Sequence, residues 1–152
     1  MKIIIFSSLI TLIDQISKIL IRANINQQQK IKIINDYFYL TFVKNKGAAF
    51  GILEGQRLFF IAVTLFFLVF LFYLYKRELP HNLFTKTAII FLIGGSISNL
   101  FDRIFFHYVT DFIAVDIIPF YQFPVINIAD IFISLGVIIL IYEILFLSSK
   151  NN

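Results

Sequence analysis

Cysteine is absent from this chain, which excludes disulfides, thiolate zinc sites and cysteine nucleophiles but says nothing about redox compartment. Charge is scarce: 14% of the residues are Asp, Glu, Lys or Arg, against about 25% in an ordinary soluble domain. Histidine occurs twice and no His-Glu-x-x-His pattern is present, which argues against a metal-dependent protease. What remains is apolar. Of the 152 residues, 59% are hydrophobic and 20 are Phe, more than a globule this small can bury. Lipid is the expected solvent for much of that surface.

A net charge of +4 would suggest nucleic acid in a soluble protein. Here the basic residues lie between apolar runs, so contact with anionic membrane lipids is expected instead, and no nucleic acid.

A membrane helix needs about 20 mostly apolar residues. Four segments qualify, at about 3–21, 58–75, 87–106 and 125–147. The expected architecture is one membrane domain over 1–152: mainly α, with four transmembrane helices and a small β-sheet and loop region. Met1-Lys2 and the apolar run after it resemble the start of a signal peptide. No small-x-small cleavage site follows, and Asp14 and Lys18 interrupt the run, so a retained first helix is expected. Four spans put both termini on one side. Lys2, Lys76, Arg77, Lys86 and Lys150 fall on that side; Arg22, Lys30, Lys32, Lys44, Lys46 and Arg57 fall on the other. These counts leave orientation open.

The 22–57 loop carries two β-branched and aromatic stretches, 31–34 and 37–43, with Asn35-Asp36 as a turn signal between them. Tyr37, Tyr39, Thr41 and Val43 alternate with Phe38, Leu40, Phe42 and Lys44. A small sheet on the membrane surface is expected, either touching lipid and substrate or simply capping the helix ends. A further strand-like stretch runs over 108–118.

Ionisable residues inside membrane spans are costly and mark candidate sites. Asp14 and Lys18 share a helix face at i, i+4 and can pair, pinning the first helix to its neighbours. Gly95, Asn99 and Arg103 form one stripe of the third span at i, i+4, i+8, with Asp102 one residue off it. Arg103 is always charged and must face water, headgroups or a carboxylate. Asn127, Asp130 and Ser134 share a face of the fourth span, and the helix dipole favours Asp130 in its first turn. Asp111 lies just outside the third span, so it and Asp130 can meet at one membrane face. Two carboxylates in a confined site ionise one at a time, supplying a base and an acid together. On spacing alone the pair is a weak signal. His107 is read as an interfacial side chain rather than a ligand.

Several blocks together carry a resemblance. They are Asp14-Gln15-Ile16-Ser17-Lys18, Asn45-Lys46-Gly47-Ala48-Ala49-Phe50-Gly51, Gly94-Gly95 through Asn99-Leu100-Phe101-Asp102-Arg103, Val109-Thr110-Asp111-Phe112 and Asn127-Ile128-Ala129-Asp130. In this order, nearly along its full length, the chain resembles the lipoprotein signal peptidase (signal peptidase II) family. Ser98 stands where that family usually has Gly, and Ile126 where it usually has Phe.

The resemblance implies an aspartic endopeptidase of the bacterial plasma (inner) membrane, with both termini cytoplasmic and the sheet and site on the extracytoplasmic face. It implies cleavage of diacylglyceryl-modified prolipoproteins before the lipid-bearing Cys. Asp111 and Asp130 would be catalytic. Asp14, Lys18, Asn45, Gly47, Gly95, Asn99, Asp102, Arg103, Asn127 and Ala129 would support the site or bind substrate. No cofactor or metal is expected, and the chain is expected to act as a monomer. The alternative is a small ion- or proton-coupled transporter subunit using Asp14, Asp102 and Asp130. It does not explain why the polar groups gather at one membrane face rather than near the midplane.

Overall fold

The computed structural model describes residues 2–34, 37–48, 52–116 and 123–147. The chain runs α1 (Lys2–Asn24), β1 (Ile31–Ile34), β2 (Phe38–Asn45), α2 (Arg57–Arg77), α3 (Leu83–Phe105), β3 (Val109–Val115) and α4 (Ile128–Tyr142), which continues as a π-helical turn over Glu143–Leu147. The expected turn at Asn35-Asp36, the Ala49-Phe50-Gly51 end of the loop block and residues 117–118 lie outside the described residues.

Four helices are long and apolar enough to cross a membrane, and their limits differ from the hydropathy spans for local reasons. The third begins at Leu83 rather than 87, because Asn82 caps it by accepting the Thr85 backbone N–H at 2.9 Å. The second runs to Lys76 and Arg77, cations that suit a helix C-terminus. The fourth starts at Ile128 rather than 125, because Asn127 and Asp130 form a reciprocal capping box. Val125 and Ile126 are thereby left outside the helix.

α3 is the central helix, with α1, α2 and α4 packed around it. Leu71, Ile89 and Leu92 form an apolar core inside the bundle, joined by side chains from all four helices. A Cβ on Gly94 would lie 2.8 Å from the Ser7 carbonyl oxygen of α1, and one on Gly95 would lie 2.6 Å from the Ala129 carbonyl oxygen of α4. Two adjacent glycines thus let α3 touch both neighbours at backbone distance. α2 by contrast buries only Leu71, and its outward Phe, Leu and Val side chains are exposed.

The three strands make an antiparallel sheet in the order β1-β2-β3. The expected strict alternation along β2 fails in its middle: Thr41 and Phe42 are both buried. The register against β3 shifts between Leu40 and Val43, and such a bulge turns two consecutive side chains toward the same side. Phe42 packs with Ile21, Ile25 and Phe112 under the sheet, which ties the sheet to the end of α1. Ile126 exchanges backbone hydrogen bonds with Ile113 at 2.8 and 3.0 Å. That bridge brings the start of α4 alongside β3.

Candidate active site

Asp111 sits in β3, and the cap of α4 follows directly after the Ile113–Ile126 bridge. Asp111 and Asp130 therefore line one cavity of about 260 Å³, together with Asn45, Asn99, Arg103 and Ser134. A second cavity of similar size adjoins it, lined by Asp111, Lys46 and Glu54 among others.

Three amide side chains connect the carboxylates, and each is held in one orientation. Asn127 Oδ1 accepts the Asp130 backbone N–H at 2.9 Å, so its Nδ2 points away and donates to Asp111 Oδ1 at 2.7 Å. Asn45 Oδ1 accepts the Gly47 N–H at 2.9 Å, so its Nδ2 donates to Asp111 Oδ2 at 2.8 Å. Asn99 Oδ1 accepts from Lys18 Nζ at 2.8 Å, and its Nδ2 donates to Asp130 Oδ1 at 2.8 Å. Asp130 Oδ2 accepts the Asn127 backbone N–H at 3.1 Å.

Burial, and then the neighbouring Asp130 charge, push the Asp111 carboxyl up to about 7, against the opposing hydrogen bonds from Asn45 and Asn127. A carboxyl near neutrality can hold a proton or release it at working pH, as a general acid or base must.

Behind the pair lies a fully buried ionic cluster. Lys18 Nζ is 2.7 Å from Asp14 Oδ2 and 3.3 Å from Asp102 Oδ2. Asp14 also accepts from the Ser98 hydroxyl at 2.6 Å and from the Ala129 backbone N–H at 2.9 Å. Asp102 accepts the Thr110 N–H at 2.9 Å and Gln15 Nε2 at 3.1 Å, with Arg22 at 3.6 Å. Asp14 and Asp102 thus anchor the backbone just before each of the paired aspartates, at residues 129 and 110. Arg103 donates to the Gly47 carbonyl at 3.4 Å and lies over the Phe60 ring.

The residues expected from the sequence therefore meet at one end of the bundle. Asn45, Gly47, Asn99 and Arg103 reach the cavity with the two aspartates. Asp14, Lys18, Asp102 and Asn127 stand behind it, and Gly95 packs on Ala129. Ser98, expected only as a departure in packing, is a hydrogen-bond partner of Asp14. Gln15, Arg22 and Thr110 were not singled out; for Gln15 and Arg22 the available signal was a polar side chain one helical turn from Lys18, and for Thr110 its place beside Asp111. His107 is exposed in the turn after α3 with a positive φ of 70°. Among the described residues no group of three or more His, Asp or Glu side chains is placed to hold a metal ion.

A buried aspartate from a strand and a half-buried one from a helix start meet at one end of a four-helix membrane bundle, an arrangement that fits a membrane-embedded enzyme of the aspartic peptidase kind. Residues 6–146 match the family model for signal peptidase (SPase) II. A lipoprotein signal peptidase of Clostridioides difficile (strain 630) is 40% identical over 141 residues, covering 92% of each chain. One of Moorella thermoacetica is 35% identical over 145 residues, 95% of this chain and 93% of the relative. A solved structure described as a bacterial membrane enzyme at 2.3 Å resolution superposes with a TM-score of 0.90 at 32% identity, over 99% of this chain and 92% of that one. A second bacterial membrane enzyme, solved at 1.9 Å, gives 0.85 at 33% identity. The chain belongs to the signal peptidase II family, and is a membrane-embedded protease rather than a transporter subunit.

Proposed function

We propose that Asp111 and Asp130 are the catalytic pair of this peptidase, and that it removes the signal peptide from diacylglyceryl-modified prolipoproteins by cutting before the lipid-bearing Cys. The observation that carries the reading is the shared cavity in which oriented amides link both carboxylates. One aspartate, ionised, takes a proton from water as the water oxygen attacks the scissile carbonyl. The other, protonated, hydrogen-bonds the carbonyl oxygen and then gives its proton to the departing amine, which breaks the C–N bond. Arg103 and Asn45 stand at the cavity wall to orient the peptide. The apolar flanks of the bundle suit a substrate that arrives within the lipid.

Purified protein in detergent, with a chelator present, should cleave a lipid-modified prolipoprotein. Asp111→Asn and Asp130→Asn should each lower turnover by about a thousandfold or more, at the upper range of general acid–base contributions, with the fold intact. Substantial turnover by either variant would sink the pair; loss of turnover with chelator would favour metal chemistry.

The orientation in this reading places both termini in the cytoplasm and the sheet outside. The absence of native cysteine makes the test direct. A cysteine introduced in place of Lys30 should react with an impermeant maleimide on intact cells, and one in place of Lys86 should not. The reverse pattern inverts the topology without touching the chemistry.

A further inference from the structure

We infer that Lys18 is a positioning residue that decides which aspartate is the base: it holds the Asn99 amide so that Asp130 carries the charge and Asp111 the shared proton. The inference rests on the peptidase reading of the site. An ammonium group has donors and no acceptor. Lys18 Nζ, with no exposure, lies 2.8 Å from Asn99 Oδ1, so the amide must present its oxygen to Lys18 and its N–H to Asp130. A donated N–H favours the ionised carboxylate. Turned over, the amide would offer a carbonyl oxygen, which can hydrogen-bond only the protonated acid. Beyond the attraction of its charge, Lys18 thus acts on Asp130 through one rotatable side chain, that of Asn99.

The two carboxylates differ in the rest of their surroundings. Asp130 stands in the first turn of α4 and its carboxyl accepts the Asn127 backbone N–H, where a negative charge suits the helix dipole. Asp111 lies on a strand, and among the described residues its carboxyl accepts hydrogen bonds only from the neutral amides of Asn45 and Asn127. Among the described residues the charged groups around the pair are Lys18 and Asp14 of α1, Arg103 and Asp102 of α3, and Lys44, Lys46 and Glu54 beside the adjoining cavity. Arg103 shares the cavity with both aspartates and does not by itself choose between them. Lys18 and the helix start do.

Removing Lys18 alone would take from Asp14 the cation it pairs with and leave Asp102 with Arg22 at 3.6 Å, so the test uses the charge-balanced pair Lys18→Met with Asp14→Asn. In the Asp14→Asn background, Lys18→Met should lower kcat by about tenfold, the worth of one well-made hydrogen bond, with KM unchanged. In the Asp14→Asn, Asn99→Leu background the same lysine substitution should change kcat less than about twofold, because groups acting as a unit are not additive. Equal losses in both backgrounds, or a loss confined to KM, overturn the inference. A second measurement does not depend on any lysine variant accumulating. The infrared carboxylic-acid band of the resting enzyme should shift in Asp111→Glu, which preserves both carboxyl groups, and stay in place in Asp130→Glu. The opposite result puts the proton on Asp130 and overturns the assignment.

Discussion

The two ends of α4 each carry a carboxyl side chain withdrawn from the surface, half-buried at Asp130 and buried at Glu143, and they are built differently. At the start, Asp130 is held by Asn99 and by the Asn127 backbone, and the Asp14 and Asp102 carboxylates behind it are paired with Lys18. About 20 Å further along, at 1.5 Å per residue, Glu143 is 1% exposed at the opening of the π-helical turn. Its Oε1 accepts from Asn82, the cap of α3, while its Oε2 and the Thr85 hydroxyl oxygen find no hydrogen-bond partner among the described residues. Redundant pairing fixes a geometry, as a site that handles protons requires. A single contact only joins α4 to the α2–α3 turn.

Lys18→Met as a single substitution should give the largest effect. It leaves two fully buried carboxylates short of a partner, and breaking a buried pair in this way costs about 3–5 kcal/mol. Thermal unfolding in detergent measures it. A loss below about 1 kcal/mol, the range of exposed pairs, would mean that the cluster is not the tightly coupled end of the comparison.

Gly95→Ala comes next. Its Cβ would lie 2.6 Å from the Ala129 carbonyl oxygen and 2.7 Å from Ile133 Cγ1, and overpacking of this kind costs about 2 kcal/mol. Ala129 directly precedes Asp130, so turnover should fall further than stability predicts. If activity and melting temperature decline in proportion, the start of α4 is not precisely held.

How much of this was legible in the sequence follows the same division. Asp111, Asp130 and their neighbours stood in motif blocks, and the capping pattern around Asn127 could be read locally. The contact of Lys18 with Asn99 could not, since it joins helices 81 residues apart; local spacing showed only that Lys18 faces Asp14. The alternation in β2 was readable until the bulge at Leu40–Val43, which depends on pairing with β3. Glu143 lay inside the fourth apolar span with no motif around it. Its partner Asn82 belongs to a distant turn, so the second buried carboxyl went unseen.

The pH dependence of stability sharpens the contrast at the active end. Asp111 ionises at about 7 in the folded protein and near 4 in an unfolded chain. Between those values the folded state holds a proton that the unfolded chain lacks, so this stabilisation is full below about pH 4 and is lost as pH rises through 7. One proton gives a slope of at most about 1.4 kcal/mol per pH unit. The melting temperature should therefore fall from pH 5 to pH 8, and the fall should flatten in Asp111→Asn. Parallel curves for the two proteins would detach the slope from Asp111.

Glu143→Gln should have the smallest effect, and in the opposite direction. The amide oxygen can still accept from Asn82, and a neutral amide costs less to bury than a carboxyl group with one oxygen left without a partner among the described residues. The gain is on the order of 1 kcal/mol, and no ion pair is broken among the described residues. The melting temperature should rise slightly with turnover unchanged, because the substitution lies at the far end of α4 from the two aspartates. A destabilisation as large as that of Lys18→Met would show that Glu143 is held as a charge by partners of its own, and the two ends of α4 would then be alike.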